Sequence, residues 1–218
     1  MTVERFVIND IGLQPIGGKI ADLKGYFDEL TYSHIPVEDN DVFIGSIAEN
    51  DVRCFDSDKT LAEYRYNIER FYVRNTDNWL DVLEAFAKNN TNVMPVLDGH
   101  NVYVGYVELG DVISMFNETP FLSEGGAIIV VEKGYADFSF SEISQIVESN
   151  GAKIFGMFIS KIENDVVQVT LKLGAGGINE ILQSFRRYNY NVESSHQEDT
   201  FYENLKDRSR YLQKYLNI

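Results

Sequence analysis

The chain has a single cysteine, Cys54, among its 218 residues. One cysteine excludes an internal disulfide framework and a cysteine metal cluster. With no histidine placed to activate it, Cys54 reads as a small buried hydrophobe rather than a nucleophile. Long apolar runs are also missing, and nothing approaches the roughly 20 residues needed to cross a bilayer. The opening stretch MTVERFVIND has neither the basic flank nor the apolar segment of a signal peptide. These absences predict a cytoplasmic protein with no membrane contact. Positive charge is scarce: 19 Lys and Arg stand against 34 Asp and Glu, a net of −15. A nucleic-acid partner is excluded on that ground, because displacing counterions from phosphates needs a basic surface.

Catalytic signatures are missing as well. His34, His100 and His196 fall in unrelated segments with no metal-spaced partner. No serine elbow, zinc signature or dinucleotide fingerprint occurs. The glycine-rich stretch from Gly174 to Gly177 lacks the Lys-Ser/Thr pair of a phosphate loop and reads as a flexible strand-to-helix turn. The expectation is a protein that is not an enzyme.

What is present is ample material for packed cores, with 44% hydrophobic and 13% aromatic residues. The acidity is uneven. Residues 1–124 hold 22 acidic and 9 basic side chains, a net of −13, whereas residues 125–218 hold 12 and 10, a net of −2. Such a step fits two units, at 1–124 and 125–218, with different surfaces.

The first half repeats itself. Pro36 lies over Pro95, while Gly45 lies over Gly105 and Asp51 over Asp111. In each copy a β-branched strand follows the proline (Val37; Val96), and a polar turn leads to a second strand ending at the glycine. A helix then begins near the aspartate. Upstream, Ile20, Leu23, Phe27 and Leu30 in one copy, and Trp79, Leu80, Val82, Leu83, Phe86 and Ala87 in the other, mark one face of a helix, the second capped by Thr76 or Asp77. Repeat one covers about 7–58 and repeat two about 68–121, joined by a linking helix over Thr60 to Phe71.

Hydrophobic-Pro-Val, a strand closing on glycine, and aspartate six residues on resemble the CBS repeat. Two copies resemble the CBS pair, or Bateman module. The resemblance implies clefts for adenosine-containing ligands, built on a Gly-h-h-Thr/Ser-x-x-Asp motif whose hydroxyl serves phosphate and whose aspartate accepts from ribose hydroxyls. Here Asp51 and Asp111 are in place, but Ala48 and Glu108 stand where the hydroxyl belongs. Loss of one donor costs about 1 kcal/mol, and the carboxylate of Glu108 repels phosphate unless a cation such as Arg74 intervenes. Ile35 and Met94 are candidates to flank an adenine, and Pro36 and Pro95 to shape the strand entrance. Core packing is the default for Ile35 and Met94, and helix capping comes ahead of ribose binding for Asp51 and Asp111. The implied effector is an adenosine nucleotide, AMP over ATP, because the acidic half disfavours polyphosphates. The pair also implies a homodimer. An inert scaffold is the rival reading.

In the second half the pattern is strand (Gly126 to Lys133), helix with a capping box on Ser139 and Glu142, hairpin turning at Glu163 to Asp165, helix from Ile178, and strand from Tyr190. The order βαββαβ is ferredoxin-like. A closing helix is expected over Thr200 to Asn217. Appended to a CBS pair, this half resembles the ACT domain, and the whole looks like CBS–ACT regulators of the acetoin-utilisation type. The resemblance places a possible amino-acid site at the loop Gly134, Tyr135 and Ala136, which lacks the Pro-Gly pattern of many amino-acid binders. The predicted fold class is α+β: tandem CBS repeats followed by a ferredoxin-like ACT-like domain.

Overall fold

The computed structural model of the protein describes residues 2–194. The expected C-terminal helix and His196 lie outside the described residues. Two compact units are present, Met1–Phe116 and Asn117–Ile218.

The first unit is α+β and internally duplicated. In order it contains β1 (Gln14–Pro15), α1 (Ile20–Glu29), β2 (His34–Asp39), β3 (Val42–Ala48) and α2 (Glu49–Cys54), then β4 (Val73–Arg74), α3 (Trp79–Asn89), β5 (Val93–Leu97), β6 (Tyr103–Glu108) and α4 (Leu109–Asn117). Each repeat forms a three-stranded sheet, β1-β2-β3 or β4-β5-β6, with one parallel and one antiparallel pairing. The helical spacing read from sequence buries Ile20, Leu23 and Phe27 on α1, and Val82 and Phe86 on α3. These side chains pack on the alternating inward faces of the strands, giving one core per repeat around Ile35, Val37 and Ile47 and around Met94, Val96 and Val107.

The repeats exchange their leading segments. Ile8, at the start of the first repeat, bridges to Tyr106 of the second, and Glu69, at the start of the second, bridges to Ser46 of the first. Val3 joins the second core, with Phe6 and Val7 against it, and Ile68 packs on the first. Gly45 and Gly105 permit these crossings. Both have φ near +140°, and a β-carbon on either would fall well inside van der Waals contact with the carbonyl oxygen of Glu69 or Ile8. Ser33 and Asn92 tie the repeats reciprocally: the Ser33 amide donates to Asn92 Oδ1 at 2.8 Å, and the Asn92 amide to Ser33 Oγ at 3.0 Å.

Several local expectations are corrected. Residues 61–67 form 3₁₀ turns with a kink at Tyr64 rather than a linking α-helix, opened by a Thr60–Glu63 capping box. Asn78 caps α3, accepting from the Leu80 amide, while Asp77 accepts from the amide of Arg74. Cys54 is exposed, because α2 spans six residues and turns only Val52 to the core.

The second unit contains α5 (Pro120–Ser123), β7 (Ala127–Gly134), α6 (Phe140–Ser149), β8 (Ile154–Glu163), β9 (Val166–Leu173), α7 (Ile178–Arg187) and β10 (Asn191–Ser194). Its sheet order, β10-β7-β9-β8, is the antiparallel ferredoxin-like arrangement. Ile129 and Val131 with Val167, Val169 and Leu171 face α6 and α7, which contribute Ile143, Ile146, Val147, Ile181, Leu182 and Phe185. Helix α5 belongs to this unit, because Phe121 packs on Phe158 and closes on Gly156 of β8. The Ser139 cap forms. The carboxylate of Glu142, however, turns to Lys133 Nζ at 2.6 Å instead of back to the cap.

Replacing Gly45 or Gly105 with alanine is expected to cost roughly 2 kcal/mol or more, through the strained φ and the carbonyl clash. Gly99→Ala, whose added β-carbon meets open space, is the control. Chemical denaturation checks this, and equal midpoints for the three variants would refute the crossing as the constraint.

Candidate functional site

The strand register makes the two repeats comparable residue by residue. His34 pairs with Ala48 and Pro36 with Ser46, as Val93 pairs with Glu108 and Pro95 with Tyr106. The crossing segments set Glu69 and Ile8 at equivalent places, so that Phe71 and Asp10, two residues on, also correspond. In each repeat one face of the last strand, the first turn of the next helix and the crossing segment of the other repeat form a wall carrying the motif aspartate.

In the first repeat this wall is polar. Asp51 is the third residue of α2, not its cap. The cap position is Ala48, which supplies no side-chain bond. The carboxylate of Asp51 accepts from Asn67 Nδ2 at 2.9 Å, and its place in the first turn is favoured by the helix dipole. His34 is buried with its ring edge-on to Phe71, Nδ1 lying 2.9 Å from Ser33 Oγ and Nε2 lying 3.5 Å from Glu69 Oε1. Ser46 Oγ and Asn67 Oδ1 are buried without a hydrogen-bond partner. Such atoms carry a desolvation penalty unless a water or ligand meets them.

The second repeat is built differently at the same positions. Tyr106 donates to Asp10 Oδ1 at 2.5 Å, and Tyr32 donates to Glu108 Oε1 at 2.7 Å. The phenol oxygens lie 3.1 Å apart, with the rings edge-on. Burial first, and the hydrogen bonds to the Asp10 carboxylate and the Tyr32 phenol next, hold the Tyr106 phenol far above its ordinary range. Asp111 is the third residue of α4 and so, like Asp51, not a cap.

Three of the residues expected at the site are placed elsewhere. Ile35 and Met94 are wholly buried in the two cores, because they alternate with Pro36 and Pro95 and face inward. Arg74 does not compensate Glu108. Arg74 pairs with Leu97 and Glu108 with Val93, at opposite ends of β5, about 13 Å apart at ~3.3 Å per residue. The guanidinium of Arg74 instead donates to the Asp98 carbonyl and to Asn101 Oδ1, against the ring of Tyr72.

The loop Gly134, Tyr135 and Ala136 is a tight turn. The Tyr135 amide donates to the Asp165 carbonyl at 2.7 Å, and the amides of Asp137 and Phe138 donate to that of Gly134. Away from both aspartates, a cavity of about 420 Å³ lies between Leu83, Phe86, Ala87, Thr91, Asn92 and Leu109. Among the described residues no group of three or more His, Cys, Asp or Glu is placed to hold a metal ion, and no helix is long and apolar enough to cross a membrane.

Burial of His34 lowers its pKa, outweighing the attraction of Glu69 and Asp51. The unfolded chain therefore takes up a proton near pH 6.5 that the folded chain refuses until lower pH. The stabilising contribution is complete above about pH 6.5 and is lost as the pH falls through the depressed folded value. Melting temperatures from pH 7.5 to 5 are expected to fall less for His34→Gln than for the wild type; an identical slope would refute this.

A CBS domain family model matches residues 66–118. No curated protein matches the chain significantly. Solved structures similar to the chain include a CBS domain pair/ACT domain protein from Thermotoga maritima, at 21% identity over 54% of this chain and 98% of that one, with a TM-score of 0.49. The CBS domains of a transcriptional regulator from Streptococcus pneumoniae match at 19% identity over 52% and 98%, with a TM-score of 0.47. CBSX2 in complex with AMP matches at 16% identity over 53% and 95%, with a TM-score of 0.45. Residues 66–118 thus form a CBS domain, and the same order and register of elements from Ile20 to Cys54 makes the first unit a tandem of two such repeats.

Proposed function

We propose that the protein is a non-catalytic regulator that senses an adenosine nucleotide such as AMP on the first repeat's wall. The observation that carries this is the grouping there of the Asp51 carboxylate with two buried, unpartnered acceptor or donor atoms, Ser46 Oγ and Asn67 Oδ1. Asp51 accepts from the ribose diol. Ser46 and Asn67, with Pro36 and Ala48 beside them, contact the rest of the nucleoside. Asp51 and Glu69 add negative charge to a half already at −13 net, so each extra phosphate weakens binding and AMP is preferred to ATP. Regulation of the acetoin-utilisation type, as a cytoplasmic homodimer, is the setting this reading implies.

The rival reading is an interaction protein with inert clefts. It is favoured by the bond from Asn67 to Asp51, which a ribose must displace. Calorimetric titration with AMP, ADP and ATP separates the two. AMP is expected to bind and to stabilise the chain by about 2.7 kcal/mol at ~100 times its dissociation constant, and Asp51→Ala to abolish both effects. Silence of all three nucleotides would leave the scaffold reading in possession.

A further inference from the structure

We propose that the protein takes one ligand per chain, because Tyr32 and Tyr106 close the second repeat's wall from within. This rests on the ligand reading of the first repeat and adds which wall is used and what shuts the other.

The backbone offers two equivalent walls, and side chains distinguish them. Tyr106 takes the place that Ser46 has in the first repeat, Glu108 that of Ala48, and Asp10 that of Phe71. Tyr32, two residues before His34, takes the place of Thr91, two before Val93. At the second wall, four polar side chains, Tyr106, Glu108, Tyr32 and the smaller Asp10, therefore meet where the first has Ser, Ala, Thr and Phe.

The four satisfy one another. Tyr106, 1% exposed, donates a hydrogen bond to Asp10, and Tyr32 donates one to Glu108. The two rings meet edge-on at the face of β6 that carries Tyr106 and Glu108, the strand that leads into α4 and Asp111. A ligand reaching Asp111 along this face must displace both rings and strip two carboxylates of their donors, which are costs that a ribose hydroxyl at Asp111 does not offset. Ser46 is as deeply buried as Tyr106, but no side chain satisfies it. Its neighbours at the equivalent positions carry no group that bonds to it, and its hydroxyl is left unpaired. Asp111 accordingly serves the helix dipole of α4 only.

The test is equilibrium dialysis of the full chain with labelled AMP. One AMP per chain is expected, lost in Asp51→Ala and retained in Asp111→Ala. Installing the first wall's residues in the second, with Tyr32→Thr, Tyr106→Ser and Glu108→Ala together, is expected to raise the stoichiometry to two. Circular dichroism checks that the variant folds. If it does not, the double variant Tyr32→Thr, Glu108→Ala, which keeps the fully buried Tyr106, carries the same comparison. Two AMP per wild-type chain, or loss of binding on Asp111→Ala with retention on Asp51→Ala, overturns the proposal, as does a folded opened variant with no added site. A wild type that binds no AMP defeats the ligand reading alone. The opened variant then decides: one site gained supports closure, and none gained overturns it.

Discussion

Two carbonyl oxygens, those of Glu69 and Ile8, sit where β-carbons would be if residues 45 and 105 were anything but glycine. That close approach lets the segment leading into each repeat run along the last strand of the other. Ser46 and Glu69 exchange both backbone hydrogen bonds at 2.8 Å, as do Tyr106 and Ile8. Neither repeat can complete its sheet or cover its core alone, since Val3 and Val7 serve the second core and Ile68 the first. The exchange makes the pair one cooperative unit. The reciprocal bonds between Ser33 and Asn92 then fix the two halves about a local pseudo-two-fold, at a net value of about 1 kcal/mol each.

A duplicated backbone offers two equivalent walls, and electrostatics alone would treat them alike, because both lie in the acidic half. What separates them is volume and hydrogen-bond supply. Phenols can donate hydrogen bonds to carboxylates that would otherwise repel any incoming phosphate, so the second wall is satisfied while empty. The first wall has Ser46 and Ala48 at those strand positions, the Asp51 carboxylate held by a neutral amide, and the His34 imidazole between Phe71 and Glu69. It retains unmet hydrogen-bonding capacity, the property that a binding surface requires before its ligand arrives.

Much of this architecture was legible in the sequence. The helices of both repeats announced themselves by three- and four-residue spacing, and the β8–β9 hairpin by alternation around Asn164 and Asp165, both at positive φ in the turn. The repeat was visible because Pro, Gly and Asp are each demanded by a backbone requirement. The exchange of leading segments was not, because two antiparallel bridges between distant residues leave no periodic trace. For the same reason Ile8 and Tyr106, 98 positions apart, gave no sign of meeting. Asp51 and Asp111 looked like caps because cap and third helical residue differ by one turn's geometry, which the sequence does not locate that finely. Arg74 looked free to reach Glu108 because distance along a strand is lost when only proximity in sequence is read.

The second unit bears on where sensing resides. Recognition of an amino-acid effector at a strand-to-helix loop draws on free backbone amides for the carboxylate and on conformational freedom to close around it. Between Gly134 and Phe138 three of the amides are already committed, one to Asp165 across the sheet and two to the Gly134 carbonyl. Lys133, the nearest cation in the strand, is bonded to Glu142 and lies over the ring of Tyr190. The amides of Tyr135, Asp137 and Phe138 and the charge of Lys133 are thus engaged within the unit. In the first unit, Ser46 Oγ and Asn67 Oδ1 are buried without a partner, and Asn67 holds the Asp51 carboxylate.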